Sequence, residues 1–225
     1  TPFIRPYTPP LDLPSCIHIF RQTCSPDLHA EPLCTISSHI WCRPYLHLSP
    51  QTCLVLDDGT GRAVGYCIGT SDTGEFCRRW KGEFVPFLRE GGGEEGGLFG
   101  GGGGSNSCHD DNGVDEEEDE EKKKKKKEML EIIWSAPEKG CDGDVAGLWD
   151  EFPAHLHINL LPEYQRRGWG VQLIGALVER LREEECRGLY LGVGASNTGA
   201  VKFYEHNGFS RFAKLEQDGE KGRKG

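Results

Sequence analysis

Residues 160–170 of the chain read LLPEYQRRGWG and join a strand-like segment to a helix-like segment. Before this stretch, apolar and polar residues alternate from Leu156 to Leu160, which is the two-residue period of a β-strand. After it, the apolar residues of Gly170–Cys186 recur at helical spacing and predict an amphipathic helix. Gly168 and Gly170 stand at the junction, where a residue without a side chain lets the backbone approach a ligand closely.

The junction has the chemistry of an anion-binding site. Amide groups at the start of a helix point at a ligand, and the helix dipole adds partial positive charge there. Gln165, Arg166 and Arg167 add hydrogen-bond donors and charge. A Rossmann turn does not fit because the third glycine is missing, and a P-loop does not fit because no Gly-Lys-Ser/Thr follows. The alternative is an ordinary strand-to-helix turn that uses glycine for its geometry.

A second motif occupies residues 197–209, which read NTGAVKFYEHNGF. Its apolar spacing predicts a helix from Thr198 to Asn207, ended by Asn207-Gly208. A strand is predicted before it at Leu189–Val193, and a closing strand after it at Phe209–Leu215.

The N-terminal half contains further strands and helices around the same predicted sheet. They are a strand at Ile4–Tyr7, helices at Leu13–Cys24 and within Cys34–Pro44, strands at Thr52–Leu56 and Ala63–Gly69, and a helix at Glu75–Glu90. The two adjacent strands form an antiparallel hairpin across an Asp-Gly turn. The order of elements predicts a mixed α/β fold with one central, mostly antiparallel sheet flanked by helices, and not a regular βαβ repeat.

Residues 91–128 consist mostly of Gly, Glu, Asp and Lys. Glycine loses the most entropy on ordering and the charges resist burial, so we expect a disordered insert. An acidic block beside a lysine block in this insert favours at most a transient helix. The expected organisation is one domain over residues 1–218, interrupted by this insert and followed by a flexible tail at 219–225.

Composition argues against several classes of protein. The formal net charge of −10 disfavours general nucleic-acid binding, which needs a basic surface. No apolar run reaches the roughly 20 residues that cross a bilayer, so no membrane partner is expected. The ten cysteines lack C-x-x-C and zinc spacing, which favours free thiols and no metal. We expect a cytoplasmic protein, with a nuclear location as the alternative, that is a monomer or a homodimer.

Together the two motifs resemble those of the GNAT acetyltransferase superfamily. Gln165, Gly168 and Gly170 match its Gln/Arg-x-x-Gly-x-Gly/Ala signature, and residues 197–209 match N-x-x-A-x-x-F-Y-x-x-x-G-F. This resemblance implies a single GNAT-like domain whose sheet splays into a V that holds acetyl-CoA. It also implies acetyl-CoA as the source of the acetyl group.

Residues 153–162 and 191–195 indicate a narrower group within the superfamily. These segments are similar to a bacterial and fungal subgroup related to the acetyltransferase-like C-terminal domain of animal O-GlcNAcase. The insert after Glu90 departs from that pattern, and so does Asn159, where the pattern has Asp. Because the O-GlcNAcase domain is regarded as a pseudo-acetyltransferase, this subgroup keeps a non-catalytic function open.

The implied function is an acetyl-CoA-dependent N-acetyltransferase that acts on a primary amine of a small molecule or a protein. The alternative is a catalytically silent acyl-CoA-binding module, and a chromatin acetyltransferase rests on fold analogy alone. The residues predicted to contact coenzyme A are Leu160, Leu161, Gln165, Arg166, Arg167, Gly168, Trp169, Gly170, Asn197, Ala200, Phe203 and Tyr204.

Amide formation needs a base for the amine, a donor for the oxyanion and an acid for the thiolate. Tyr204 matches the family tyrosine near the thiolate and is the predicted acid; the alternative is a core aromatic residue. His155 and His157 share one face of the strand, and the ordinary pKa of histidine suits a base near neutral pH. A structural role for either histidine is the alternative. Asp72 and Asn159 are predicted to contact the acceptor substrate.

Overall fold

The computed structural model describes residues 1–92, 116–143, 145, 147–194 and 197–212, and the side chains of all of these except 116–119. Its five-stranded sheet has the order β1-β2-β3-β4-β5. The strands are β1 (Phe3–Pro6), β2 (Leu54–Asp57), β3 (Ala63–Thr70), β4 (Ala154–Leu160) and β5 (Leu189–Tyr190). The first four strands pair antiparallel and β5 pairs parallel to β4. This confirms the mixed, mostly antiparallel sheet.

Helices flank the sheet. They are α1 (Leu13–Thr23), α2 (Leu33–Trp41), α3 (Arg43–Leu48), α4 (Thr73–Arg79), α5 (Val85–Arg89), α6 (Glu116–Trp134), α7 (Leu148–Glu151), α8 (Trp169–Glu183) and α9 (Thr198–His206). A π-helical turn at Trp80–Phe84 joins α4 to α5, which confirms the helical pattern predicted for residues 75–90. In α8, Leu173, Leu177 and Leu181 are buried at helical spacing against β2, β3 and β4.

β5 is shorter than the strand predicted at Leu189–Val193. β5 ends at Tyr190 and pairs with β4 only at Ala154 and His155. Residues 209–212 form no strand, so the predicted closing strand is wrong over those residues, and 213–215 lie outside the described residues. The physical reason is that a strand needs a neighbour to satisfy its amides, and β5 stops before it can supply one.

Part of the stretch expected to be disordered is helical. Residues 116–128 belong to α6, whereas 93–115 lie outside the described residues. Lys123 pairs with Glu120 at 3.1 Å one turn away, which supports a charged helix. The end of α6 is anchored by apolar contacts, because Met129 and Ile133 are buried and Ile133 accepts a 3.1 Å hydrogen bond from the Trp80 indole.

One buried ion pair network ties the N-terminal strand to the sheet. The Arg5 guanidinium donates to both carboxylate oxygens of Asp12, at 2.6 and 2.8 Å, and to Asp57 at 2.8 Å. Burial works to raise the pKa of Asp57, but hydrogen bonds from Arg5 and from the Gly59 and Gly61 amides outweigh it and lower that pKa. β1, the start of α1 and the end of β2 are therefore held by one cation.

The described cysteines are free thiols, in line with the sequence analysis; Cys108 lies outside the described residues. Among the helices that the structure describes, none combines the length and the apolar character needed to cross a membrane.

Tyr66 on β3 allows a test of what a buried hydroxyl group contributes to the free energy of unfolding. Its side chain is fully buried, and among the described residues no group meets the distance and angle of a hydrogen bond to its hydroxyl, although the Cys42 thiol lies close enough to raise the pKa of the phenol. We expect Tyr66→Phe to leave the free energy of unfolding unchanged or to raise it by about 1 kcal/mol, because no hydrogen bond is lost. Urea unfolding measures this, and a loss above about 1 kcal/mol would reveal a bond to the hydroxyl.

Candidate active site

The junction between β4 and α8 folds as the glycine pattern predicts. Gln165 donates its side-chain amide to the Leu160 carbonyl at 2.8 Å. Arg166 and Gly168 then adopt positive φ angles of 56° and 83°, and α8 begins at the next residue, Trp169. Within the described residues no side chain caps this helix, so its first amide groups are left for a ligand or water.

Charge at the junction favours an anion. Arg166 and Arg167 are exposed on the loop, and neither makes an ion pair within the part of the chain that the structure describes. Their charge adds to the positive end of the α8 dipole. The loop therefore keeps the features of the anion site predicted from the sequence.

The second motif packs against the first. A Cβ atom added at Gly170 would lie 3.0 Å from Cζ of Phe203, so the small residue lets α8 and α9 approach closely. Asn197 caps α9, because its side-chain oxygen accepts a 3.1 Å hydrogen bond from the Ala200 amide. These are structural contacts, and the coenzyme A roles assigned to Asn197, Ala200 and Phe203 stay predictions.

Leu160, the last residue of β4, and Leu161, which follows it, point their backbone amides to opposite sides. The Leu161 amide donates to the Val64 carbonyl at 3.0 Å and is used by the sheet. Hydrogen-bonding direction alternates along an antiparallel strand, so the amides of Ile158 and Leu160 point to the opposite edge. β5 does not reach that far. Leu160, and not Leu161, therefore offers a backbone donor to a ligand.

A cleft of about 1410 Å³ opens where β4 and β5 part. His155 and His157 of β4 line it, and so do Tyr204 of α9 and Phe209 just after α9. The predicted base candidates and the predicted acid are thus brought to one cavity. Gln165–Gly170 do not line the described part of this cavity; they lie at the far end of β4.

The two histidines share a buried partner. The Tyr45 hydroxyl lies 2.7 Å from Nε2 of His155 and 3.0 Å from Nε2 of His157. His155 is only 3% exposed, and its Nδ1 lies 2.7 Å from the Thr73 hydroxyl. His157 is partly buried and borders the cleft. His155 is therefore enclosed between two hydrogen-bond partners, and His157 is the more exposed of the two histidines at the cleft.

Both histidines are neutral at neutral pH. Burial lowers the pKa of His155 well below its usual 6.5, and the neighbouring His157 lowers it further. Burial lowers the pKa of His157 to about 4. A neutral imidazole has a free lone pair and can accept a proton, but the lowered pKa makes each histidine a weaker base than the ordinary imidazole on which the prediction rested.

Tyr204 keeps its proton. Burial raises the pKa of its phenol to about 12, with a smaller contribution from Cys67. The rings of Phe203 and Phe209 contact it edge-on, with centroids 5.2 and 5.7 Å away. Tyr204 is thus a hydrogen-bond donor at neutral pH, as the role of an acid requires.

The two residues predicted to contact the acceptor have structural partners. Asp72 is exposed and caps α4 by accepting from the Glu75 amide at 2.8 Å. Asn159 donates to the Thr23 hydroxyl at 2.7 Å and ties β4 to α1. Neither lines the described part of the cleft, so their substrate roles stay predictions.

Tyr45 and Thr73 were not predicted as residues of the site. Tyr45 lies just past Pro44, where the second helix was predicted to end, and Thr73 opens α4. Tyr45 stands in no motif, Thr73 follows Asp72 in a segment that resembles the subgroup related to the O-GlcNAcase domain but had no role assigned to it, and both reach the histidines only through tertiary packing. No signal in the sequence identifies them.

Comparisons with known proteins show the following similarities. Residues 116–209 match the model of the acetyltransferase (GNAT) family. The crystal structure of SsHAT is 28% identical, with a TM-score of 0.68 over 93% of this chain and 91% of that chain. A further crystal structure, of an acetyltransferase, is 17% identical, with a TM-score of 0.46 over 93% of this chain and 90% of that chain.

The fold and the cleft define the class as a GNAT-type α/β domain. The family match covers residues 116–209, so it includes both the junction at 160–170 and the motif at 197–209.

Proposed function

We propose that this protein is an acetyl-CoA-dependent N-acetyltransferase that acetylates a primary amine. The main support is the cleft between β4 and β5, which His157 and Tyr204 both line. One is held neutral and the other protonated by burial. A base and an acid with separated pKa values are the pair that acyl transfer to an amine requires.

The described residues fit acetyl-CoA as the acetyl donor. The uncapped start of α8, beside Arg166 and Arg167, suits a pyrophosphate. The Leu160 amide, on the open edge of β4, suits a carbonyl oxygen of the acetyl group or of the pantetheine arm. Acetyl-CoA would supply the activated acetyl group as a thioester.

The protein would supply the proton transfers. His157 takes the proton that the amine loses as the new C–N bond forms. A β4 amide stabilises the oxyanion, because its dipole is already oriented where negative charge develops. Tyr204 gives its proton to the sulfur as the C–S bond breaks, and it recovers a proton from solvent.

The substitution Gly168→Val tests the junction. We expect it to weaken acetyl-CoA binding about 100-fold, or about 2.7 kcal/mol. At φ 83° a β-branched residue is strained, so the loop shifts and its amides lose the pyrophosphate. Calorimetric titration measures the affinity.

The control is Gly175→Ala, an exposed position within α8 where an added Cβ meets nothing within 4 Å. We expect wild-type affinity for this variant. A folded Gly168→Val protein that binds acetyl-CoA as tightly as wild type would disprove the role of the loop. The thermal unfolding midpoint establishes that each variant is folded.

Thiol release with small amines and lysine peptides tests catalysis. Turnover with any amine supports the enzyme, and the product identifies the acceptor class. Tight binding without turnover across the panel would instead favour the silent acyl-CoA-binding module.

The narrower assignment to the subgroup similar to the O-GlcNAcase domain is supported by residues 153–162 and 191–195 and stays a prediction. So do the cytoplasmic location, the monomeric or homodimeric state, and the extent of the domain over residues 1–218.

A further inference from the structure

A continuous chain of hydrogen bonds runs from the cleft into the core. Nε2 of His157 lies 3.0 Å from the Tyr45 hydroxyl, which lies 2.7 Å from Nε2 of His155. Nδ1 of His155 lies 2.7 Å from the Thr73 hydroxyl. That hydroxyl donates to the Pro153 carbonyl at 2.7 Å. The chain thus ends on a group that only accepts.

The protons in this chain have one consistent arrangement. Thr73 has a single hydroxyl proton and gives it to the Pro153 carbonyl, so it must accept from Nδ1–H of His155. A neutral His155 protonated at Nδ1 is an acceptor at Nε2, so Tyr45 donates to it. The Tyr45 oxygen then accepts from Nε2–H of His157. The reverse arrangement would leave the contact between Thr73 and Pro153 without a proton.

We propose that Tyr45 is a positioning residue that holds His157 in the Nε2–H tautomer and so presents its bare Nδ1 as the base for the acceptor amine. The tautomer follows from the hydrogen bonds alone, whereas the catalytic part rests on the proposed function. The acceptor amine is neutral when it attacks, and its proton moves to Nδ1. The resulting imidazolium keeps the Tyr45 oxygen as the acceptor for its Nε2–H.

Packing in the core holds the Tyr45 side chain in one position. Its side chain is fully buried, and its ring stacks on Phe76 with centroids 4.6 Å apart. Burial raises the pKa of its phenol well above the usual value, with further contributions from Cys141 and Tyr190. Tyr45 therefore stays protonated and keeps donating to His155. It lies behind the histidines and does not itself line the described cleft.

Nitrogen NMR of the imidazole rings in the whole protein at pH 7 tests the tautomers directly. We expect His157 to carry its proton on Nε2 and His155 on Nδ1. Tyr45→Phe should remove the hydrogen-bonded Nε2–H signal of His157, since the ring is kept and the hydroxyl that accepts from His157 and donates to His155 is lost. Protons on Nδ1 of His157 and Nε2 of His155 would overturn the proposal, whatever the activity of the protein.

Kinetics test the catalytic part. We expect Tyr45→Phe to lower kcat about tenfold, a fraction of the ~10²–10⁴ that general acid–base catalysis contributes, without changing the KM for acetyl-CoA. The acid limb of kcat against pH should move to lower pH, because the imidazolium of His157 loses its acceptor. Tyr45 is the titratable group within hydrogen-bonding distance of His157, and the ring of His155 faces His157 with centroids 6.1 Å apart.

Tyr66→Phe is the matched control, because it removes a buried hydroxyl from the neighbouring strand without breaking a hydrogen bond. It should keep the wild-type kcat and acid limb. Equal kcat and an unmoved acid limb for Tyr45→Phe would overturn the positioning role. If the protein has no acetyltransferase activity, the proposed function fails. The NMR measurement still tests which ring nitrogen of His157 and of His155 carries the proton.

Discussion

The substitution His157→Ala is expected to lower kcat about 1,000-fold, within the ~10²–10⁴ range for general acid–base catalysis. His157 is neutral, borders the cleft and is held by Tyr45, so its removal leaves the amine without a positioned base. Acetyl-CoA affinity should stay close to wild type, since the loop at residues 165–170 is unchanged. Steady-state thiol release and calorimetric titration measure the two quantities separately.

Chemical rescue sharpens this experiment. Free imidazole should restore part of the rate, because the cavity left by the side chain lies on the cleft and a small base can enter it. The control is His18→Ala, an exposed histidine of α1, which should keep the wild-type kcat. A His157→Ala enzyme that turns over at the wild-type rate would refute the role of His157 as the base.

The strand-to-helix junction was predictable because its signals are local. Alternation over Leu156–Leu160 and helical spacing after Gly170 reflect which side chains face the core, and β4 and α8 follow both patterns. Gly168 has a φ of 83°, so the turn needs a glycine for its geometry, while the predicted approach of its backbone to a ligand stays a prediction. Such features depend on a few neighbouring residues and so leave a trace in the sequence.

The features that could not be predicted from the sequence depend on contacts between distant parts of the chain. Tyr45 meets His155 across 110 residues, and no spacing rule records that contact. β5 was predicted to run to Val193, but its length is set by how far β4 stays beside it. α6 extends into the charged stretch because Met129 and Ile133 anchor its end in the core. Tertiary packing decided each of these outcomes.

Acidification from pH 7 to pH 5 is expected to lower the free energy of unfolding by roughly 3–4 kcal/mol through His155 and His157. Both are buried neutral, with pKa values below the usual 6.5, so the unfolded chain binds more protons than the folded protein below that pH. The slope is about 1.4 kcal/mol per pH unit for each histidine. For His157 it vanishes below its folded pKa of about 4.

Urea unfolding at pH 7, 6 and 5 measures the slope, and a histidine variant assigns it. His157→Gln cannot take up the proton, so its slope should be smaller than that of wild type by about 1.4 kcal/mol per pH unit. Burial also lowers the pKa of His47, but that contribution is common to both proteins and cancels in the difference. Equal slopes would mean that His157 titrates alike in the folded and unfolded states. Its imidazole would then be solvated, and the chain from the cleft through Tyr45 to Pro153 would not hold it.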